Sequence, residues 1–156
     1  MTPMNPLQIF RAGTHAASNG QTLTFSMADV EATAAAYDPT KHEAPIVVGH
    51  PATDEPAYGW VQRLAVKDGA LEAVPTQMDA GFSEMVNAGR FKKISAAFFT
   101  PTAKNNPVSG VYYLRHVGFL GAAAPAVKGL RAPQFSDADE GVITLEFSEP
   151  DPITPE

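Results

Sequence analysis

The chain contains no cysteine. Disulfide staples and thiolate zinc sites are therefore excluded, so packing and hydrogen bonds must hold the fold. Long apolar runs are missing too, and none approaches the roughly 20 residues that a membrane-spanning helix needs. Met1 is followed by neither a basic nor an apolar segment, so no secretory leader is read there and a soluble protein is expected. Basic residues are absent from the last stretch. From Ser136 onward stand Asp137, Asp139, Glu140, Glu146, Glu149, Asp151 and Glu156 with no Lys or Arg. All 11 bases precede it, against 10 acids, so the net charge of −6 belongs to a tail and the body is near neutral. No basic stripe offers itself to nucleic acid.

What is present suits one domain. A chain of 156 residues with 44% hydrophobic and 18% charged residues is long and apolar enough to bury a core unaided. Leu7–Ala12 alternates and predicts a first strand. Gly13–Gln21 is small and polar and reads as a loop, followed by an extended Thr22–Phe25. Ser26 with Asp29 three residues on has the form of a helix N-cap and its partner, predicting a helix over Met27–Tyr37 that Asp38-Pro39 stops. Val30, Ala34 and Tyr37 share its inner face.

Ile46-Val47-Val48 is a β-branched run expected to be a buried strand, ended by Gly49 and Pro51 with His50 between them. Gly59–Val66 and Ala70–Val74 flank Lys67-Asp68-Gly69, and Asp-Gly between alternating strands predicts a hairpin. Trp60, Gln62, Leu64 and Val66 are expected on one face, with Leu71 and Ala73 inward. Met78, Phe82, Met85 and Val86 recur at helical spacing and predict a second helix over Thr76–Ala88, with Gly89 closing it and the methionines in the core.

Lys92–Thr100 and Val111–Leu120 read as strands joined across the Pro/Asn/Gly-rich Pro101–Gly110, most simply an antiparallel pair. Symmetric closure opposes Thr100 to Val111 and Ser95 to His116, with Cβ atoms about 4.5–5.5 Å apart. Gly121–Ala126 is a small-residue turn and Val127–Pro133 a short closing segment. The tail, punctuated by Pro150, Pro152 and Pro155, reads as linker with room for one edge strand over Val142–Phe147. The division expected is a domain over 1–135 and a tail over 136–156, in an α+β, mainly β fold.

Four histidines remain: His15, His42, His50 and His116. His15 and His42 sit among loop residues and read as solvated. No spacing resembles His-Glu-x-x-His, so no metal or other cofactor is expected. His50 and His116 lie in or beside apolar strands, where both ring nitrogens must find partners. Each is then a satisfied core histidine or a member of a site, and residue chemistry alone leaves both readings open. Ser95 is not framed by a Gly-x-Ser-x-Gly elbow.

The motifs in order are Arg11-Ala12-Gly13-Thr14-His15, Ala44-Pro45-Ile46-Val47-Val48-Gly49-His50-Pro51, Gly59-Trp60-Val61, Gly69-Ala70-Leu71 and Lys93-Ile94-Ser95. Leu114–Gly121 and Pro125–Leu130 follow. Together they resemble the Mu-like phage I protein, a head-maturation protease whose C-terminal part serves as capsid scaffold. That family is similar in turn to tailed-phage prohead proteases and herpesvirus assemblins, which implies a β-barrel-like fold with flanking helices.

By motif position the resemblance implies Ser95 as nucleophile, His50 as general base and His116 as the third group. Oxyanion donors would come from backbone N–H groups beyond His116, with Gly118 and Gly121 as candidates. It further implies a serine endopeptidase that cleaves scaffold and capsid-related proteins, itself included, inside an assembling prohead in the host cytoplasm. Homodimerisation is possible by the assemblin analogy. Two other readings stand beside it: a non-catalytic capsid- or scaffold-binding module of the same fold, and a histidine-based metal-dependent hydrolase.

Overall fold

A computed structural model of the chain describes residues 6–17, 20–49, 56–91, 93–121 and 142–148. Among the described residues the protein is mainly β, with nine strands and two helices. Strand β1 (Leu7–Arg11) is followed by a ribbon of β2 (Gly13–Ala16) and β3 (Thr22–Phe25), then helix α1 (Met27–Ala36) and β4 (Pro45–Val48). Next come β5 (Gly59–Lys67), β6 (Ala70–Thr76), helix α2 (Ala80–Asn87), β7 (Lys93–Phe99), β8 (Tyr113–Leu120) and β9 (Val142–Ser148). Seven strands form one sheet in the order β1-β6-β5-β4-β8-β7-β9. Contacts of β1 with β7 and β9 bring its two edges together, so the sheet is a nearly closed, barrel-like layer around the core. Among the described residues, no helix is long and apolar enough to cross a membrane.

Local chemistry explains most elements. The Ser26 hydroxyl accepts the Asp29 N–H at 3.0 Å and the Asp29 carboxylate accepts the Ser26 N–H at 2.8 Å, a complete capping box for α1. Val30 and Tyr37 are buried as expected and Ala34 packs partly against the core. The β5–β6 turn is the predicted two-residue Asp68-Gly69, both at positive φ (53° and 80°), which matches the twist of a hairpin. Leu71 and Ala73 point inward, each fully buried. A bulge between Val61 and Arg63 resets the alternation of β5, so Val61 and Leu64 are the buried pair and Gln62 is exposed.

Other expectations are corrected. The segment 13–21, read as a loop, contains β2, which pairs with β3 from Gly13↔Phe25 to Ala16↔Thr22. T-shaped contacts of Phe25 with Phe10 and with Tyr112, both at 4.7 Å, seat that ribbon on the barrel. His15 and His42 are not simply solvated. His15 Nε2–H donates to the Arg11 carbonyl at 2.7 Å and His42 Nε2–H to the Arg115 carbonyl at 2.8 Å, and each ring packs on aromatics.

The second helix begins later than its spacing implied. Thr76 still belongs to β6, Gln77 takes positive φ (55°), and Asp79 caps α2 by accepting the Phe82 N–H at 2.8 Å. Phe82 and Val86 are buried and Met78 packs partly on the core, whereas Met85 is exposed. Gly89, at φ 81°, closes the helix as expected, its N–H bonded to Val86 O and that of Arg90 to Met85 O. The edge strand expected over 142–147 is present as β9. The turn at 122–126 and the segment 127–133 lie outside the described residues.

Two tyrosines tie the lead-in of β4 to the barrel. Tyr37 donates to the Val61 carbonyl at 2.6 Å and accepts the Ala44 N–H at 2.9 Å. Burial pushes its hydroxyl up to about 12. A raised pKa favours the protonated folded form, so this contribution is whole below pH 10 and lost as pH climbs through 12. Tyr37→Phe should flatten that alkaline loss, worth about 2 kcal/mol after screening, in urea titrations between pH 9 and 12.

Candidate active site

Ser95 lies in the middle of β7, between Ile94 and Ala96, which face the core. Strand alternation therefore turns Ser95 to the opposite face of the sheet, together with Ala97. On β8 the register is Ser95↔Gly118 and Ala97↔His116. His116 thus shares the face of Ser95, but as a diagonal neighbour and not directly across as symmetric closure predicted.

The reason lies in the connection. At its mouth Gly110 N–H donates to Pro101 O at 2.9 Å, in keeping with symmetric closure. By Phe99↔Tyr113 the β8 side has gained one residue, and a bulge at Arg115, between Ala97↔His116 and Phe98↔Leu114, adds a second. One slip would have thrown the pair onto opposite faces; two restore the shared face and shift the pairing by a diagonal step. Cβ atoms so placed stand somewhat under about 7–8 Å apart.

Buried Asn106 organises this connection. Its amide donates to Thr100 O at 3.0 Å and Val111 O at 2.8 Å, and its Oδ1 accepts the Val108 N–H at 2.8 Å. Asn106→Ala strands two carbonyls and one N–H, and should lower stability by about 2–3 kcal/mol in urea unfolding.

On its other edge β7 pairs with β9, with Ser95↔Glu146 and Ala97↔Thr144. Ser95, Ala97, His116 and Thr144 therefore share one face. That face is shut off from solvent: Ser95 and Ala97 are 0% exposed, Thr144 1% and His116 6%. Among the described residues, the buried side-chain polar atoms without a hydrogen-bond partner are Ser95 Oγ and Thr144 Oγ1. Leaving a hydroxyl so placed costs roughly 1–3 kcal/mol.

Strand β4 approaches from the far side of β8. It runs parallel to β8 with Val47↔Gly118 and Val48↔Phe119, and Gly49 N–H donates to Phe119 O at 2.9 Å. Val47 and Ser95 flank Gly118 in one row, two strand spacings or roughly 9.5 Å apart. Gly49 takes φ 68°, a left-handed turn suited to glycine, and the chain then reaches His50, which lies outside the described residues. Gly118 is paired on both sides, so its backbone groups are held in the sheet. Gly121 follows the end of β8, where a Cβ would meet Arg90 O at 3.3 Å.

Sequence reasoning did not find Thr144. Its strand was legible, but nothing in the sequence says that this strand pairs with the one carrying Ser95. Among the described residues, no group of three or more His, Asp or Glu gathers to hold a metal ion.

The class that fold and site define is a mainly β protein on a nearly closed seven-stranded sheet, with a buried serine and histidine on one face. Comparison with protein-family models, curated proteins and solved structures gives no match. The resemblance to the phage head-maturation proteases therefore rests on the motifs of the sequence itself.

Proposed function

We propose that the chain is a serine endopeptidase of the prohead-protease and assemblin type, with Ser95 as nucleophile, His50 as general base and His116 as the group that orients His50. The observation that carries this reading is the orphaned hydroxyl of Ser95, fully buried on a face it shares with His116. An unsatisfied hydroxyl in a native interior calls for an explanation, and a catalytic role supplies one.

In this mechanism Ser95 Oγ attacks the scissile carbonyl while His50 takes its proton and passes it to the leaving amine. His116 accepts a hydrogen bond from the far nitrogen of His50 and fixes its tautomer. A neutral imidazole stabilises the forming imidazolium less than a carboxylate, so turnover is modest. Gly118, opposite Ser95, and Gly121, beyond the end of β8, are the candidate oxyanion donors, such a donor contributing about 2.7–4 kcal/mol. Substrates would be capsid and scaffold proteins in an assembling prohead, with the acidic tail leading to a scaffold region.

Complete burial of Ser95 favours a second reading, a non-catalytic capsid- or scaffold-binding module. Labelling with a fluorophosphonate, mapped by peptide mass spectrometry, separates the two. The protease reading expects a covalent adduct on Ser95, slower labelling of His116→Ala and none of Ser95→Ala. An unlabelled folded chain at saturating probe supports the binding module.

A further inference from the structure

We propose that Thr144, delivered by the tail strand β9, holds a water molecule against Ser95 and positions it for hydrolysis of the acyl-enzyme. The inference rests on the protease reading above and adds a residue to that site.

Two orphaned hydroxyls on one face carry it. Ser95 Oγ and Thr144 Oγ1 are both buried and both without a partner. The register makes them diagonal neighbours, since Ser95 opposes Glu146 and Thr144 opposes Ala97. Diagonal Cβ atoms stand somewhat under about 7–8 Å apart, too far for the hydroxyls to bond directly. Two hydrogen bonds through one water span about 5.6 Å, which fits that gap. Ala97, the residue between them on this face, has the smallest side chain with a Cβ. A buried water needs at least two polar partners, and these hydroxyls supply them.

The chemistry follows from the placement. Once an acyl group sits on Ser95, the water held by Thr144 is next to the ester carbon. Its oxygen adds there, His50 takes its proton, and the bond between the acyl carbon and Ser95 Oγ breaks. The proton returns to Ser95 Oγ, and the acyl group leaves as the acid. Thr144 changes no bond; it is a positioning residue. The tail strand is then part of the site and more than a tether.

A crystal structure of the full chain at a resolution that shows waters tests the site. A water within about 3.2 Å of both oxygens is expected. Kinetics with p-nitrophenyl acetate test the role, using Thr144→Val, which keeps the shape and removes the hydroxyl. Its first burst of nitrophenolate should stay within about twofold of the unaltered chain, while steady turnover falls about tenfold, the worth of one hydrogen bond. Acetyl-Ser95 should then accumulate on intact mass, and Thr144→Ser should restore turnover. No water between the hydroxyls, or equal turnover in Thr144→Val, overturns the proposal. If Thr144→Val fails to fold, the crystal structure decides. An unaltered chain that never forms acetyl-Ser95 overturns the protease reading, and the hydrolytic role with it; a water still seen there would then be structural.

Discussion

On the protease reading, Ser95→Ala is expected to abolish covalent labelling and to lower peptide cleavage by at least about 10³-fold, with the fold retained. Without Oγ there is no acyl-enzyme, and what survives is the contribution of binding and the oxyanion donors. His50→Ala should cost about as much, and the double variant little more, because residues that act as one unit are not additive. His116→Ala acts through His50 and should cost less, roughly 10²-fold. Stability should change little, because Ser95 Oγ makes no hydrogen bond to another protein group. Losing its hydrogen bond to the proposed water is worth about 1 kcal/mol, or a fall of no more than roughly 2–4 °C in Tm for a chain of this length. Calorimetry beside the activity assay shows that the variant is folded, and a folded Ser95→Ala chain that still cleaves peptide at the unaltered rate would sink the nucleophile reading.

Local signals in the sequence carried far. The capping pair Ser26 and Asp29, the Asp68-Gly69 turn, the strand Ile46-Val47-Val48 and the edge strand β9 each follow from residues within a few positions of one another, although Val48, expected buried with Ile46 and Val47, is 42% exposed at the strand's end. Non-local pairing did not follow. The register of β7 on β8 depends on where the connection takes up extra residues, and neither the residue gained near Tyr112 nor the bulge at Arg115 leaves a compositional mark. Parity survived only because two shifts of one residue add to an even number. The same holds for α2. The helix expected from the spacing of Met78, Phe82, Met85 and Val86 would begin at Thr76, yet the ladder with β5 claims Thr76, and Gln77 must turn the chain before Asp79 can cap. For the site, the sequence picked out Ser95 and His116 as residues on paired strands. It could not show that Ser95 is fully enclosed or that Thr144 joins it, since burial and strand order are properties of the closed sheet.

Tyr113→Ala should be the most destabilising of the substitutions considered, by about 4 kcal/mol, and Tyr113→Phe should recover roughly half of that loss. Tyr113 is fully buried at the start of β8, its ring 5.5 Å from that of Tyr37, so truncation opens a cavity in the core. Its hydroxyl accepts the Asp38 N–H at 3.0 Å and lies 2.7 Å from the Asp38 carbonyl and 2.9 Å from that of His42, donating to one of them. Burial holds that hydroxyl protonated well beyond neutral pH by raising its pKa. Phenylalanine keeps the packing and loses this latch. The latch also has a functional side. Residues 38–44 lead directly into β4, and β4 sets where the chain arrives at Gly49, one residue before His50. If His50 is the general base, loosening the lead-in should disturb proton transfer from Ser95 before it unfolds the protein. Tyr113→Phe should then label with fluorophosphonate several-fold more slowly than the unaltered chain at a temperature where both are folded. Equal labelling rates there would separate the anchoring of residues 38–44 from the chemistry and leave Tyr113 a purely structural residue.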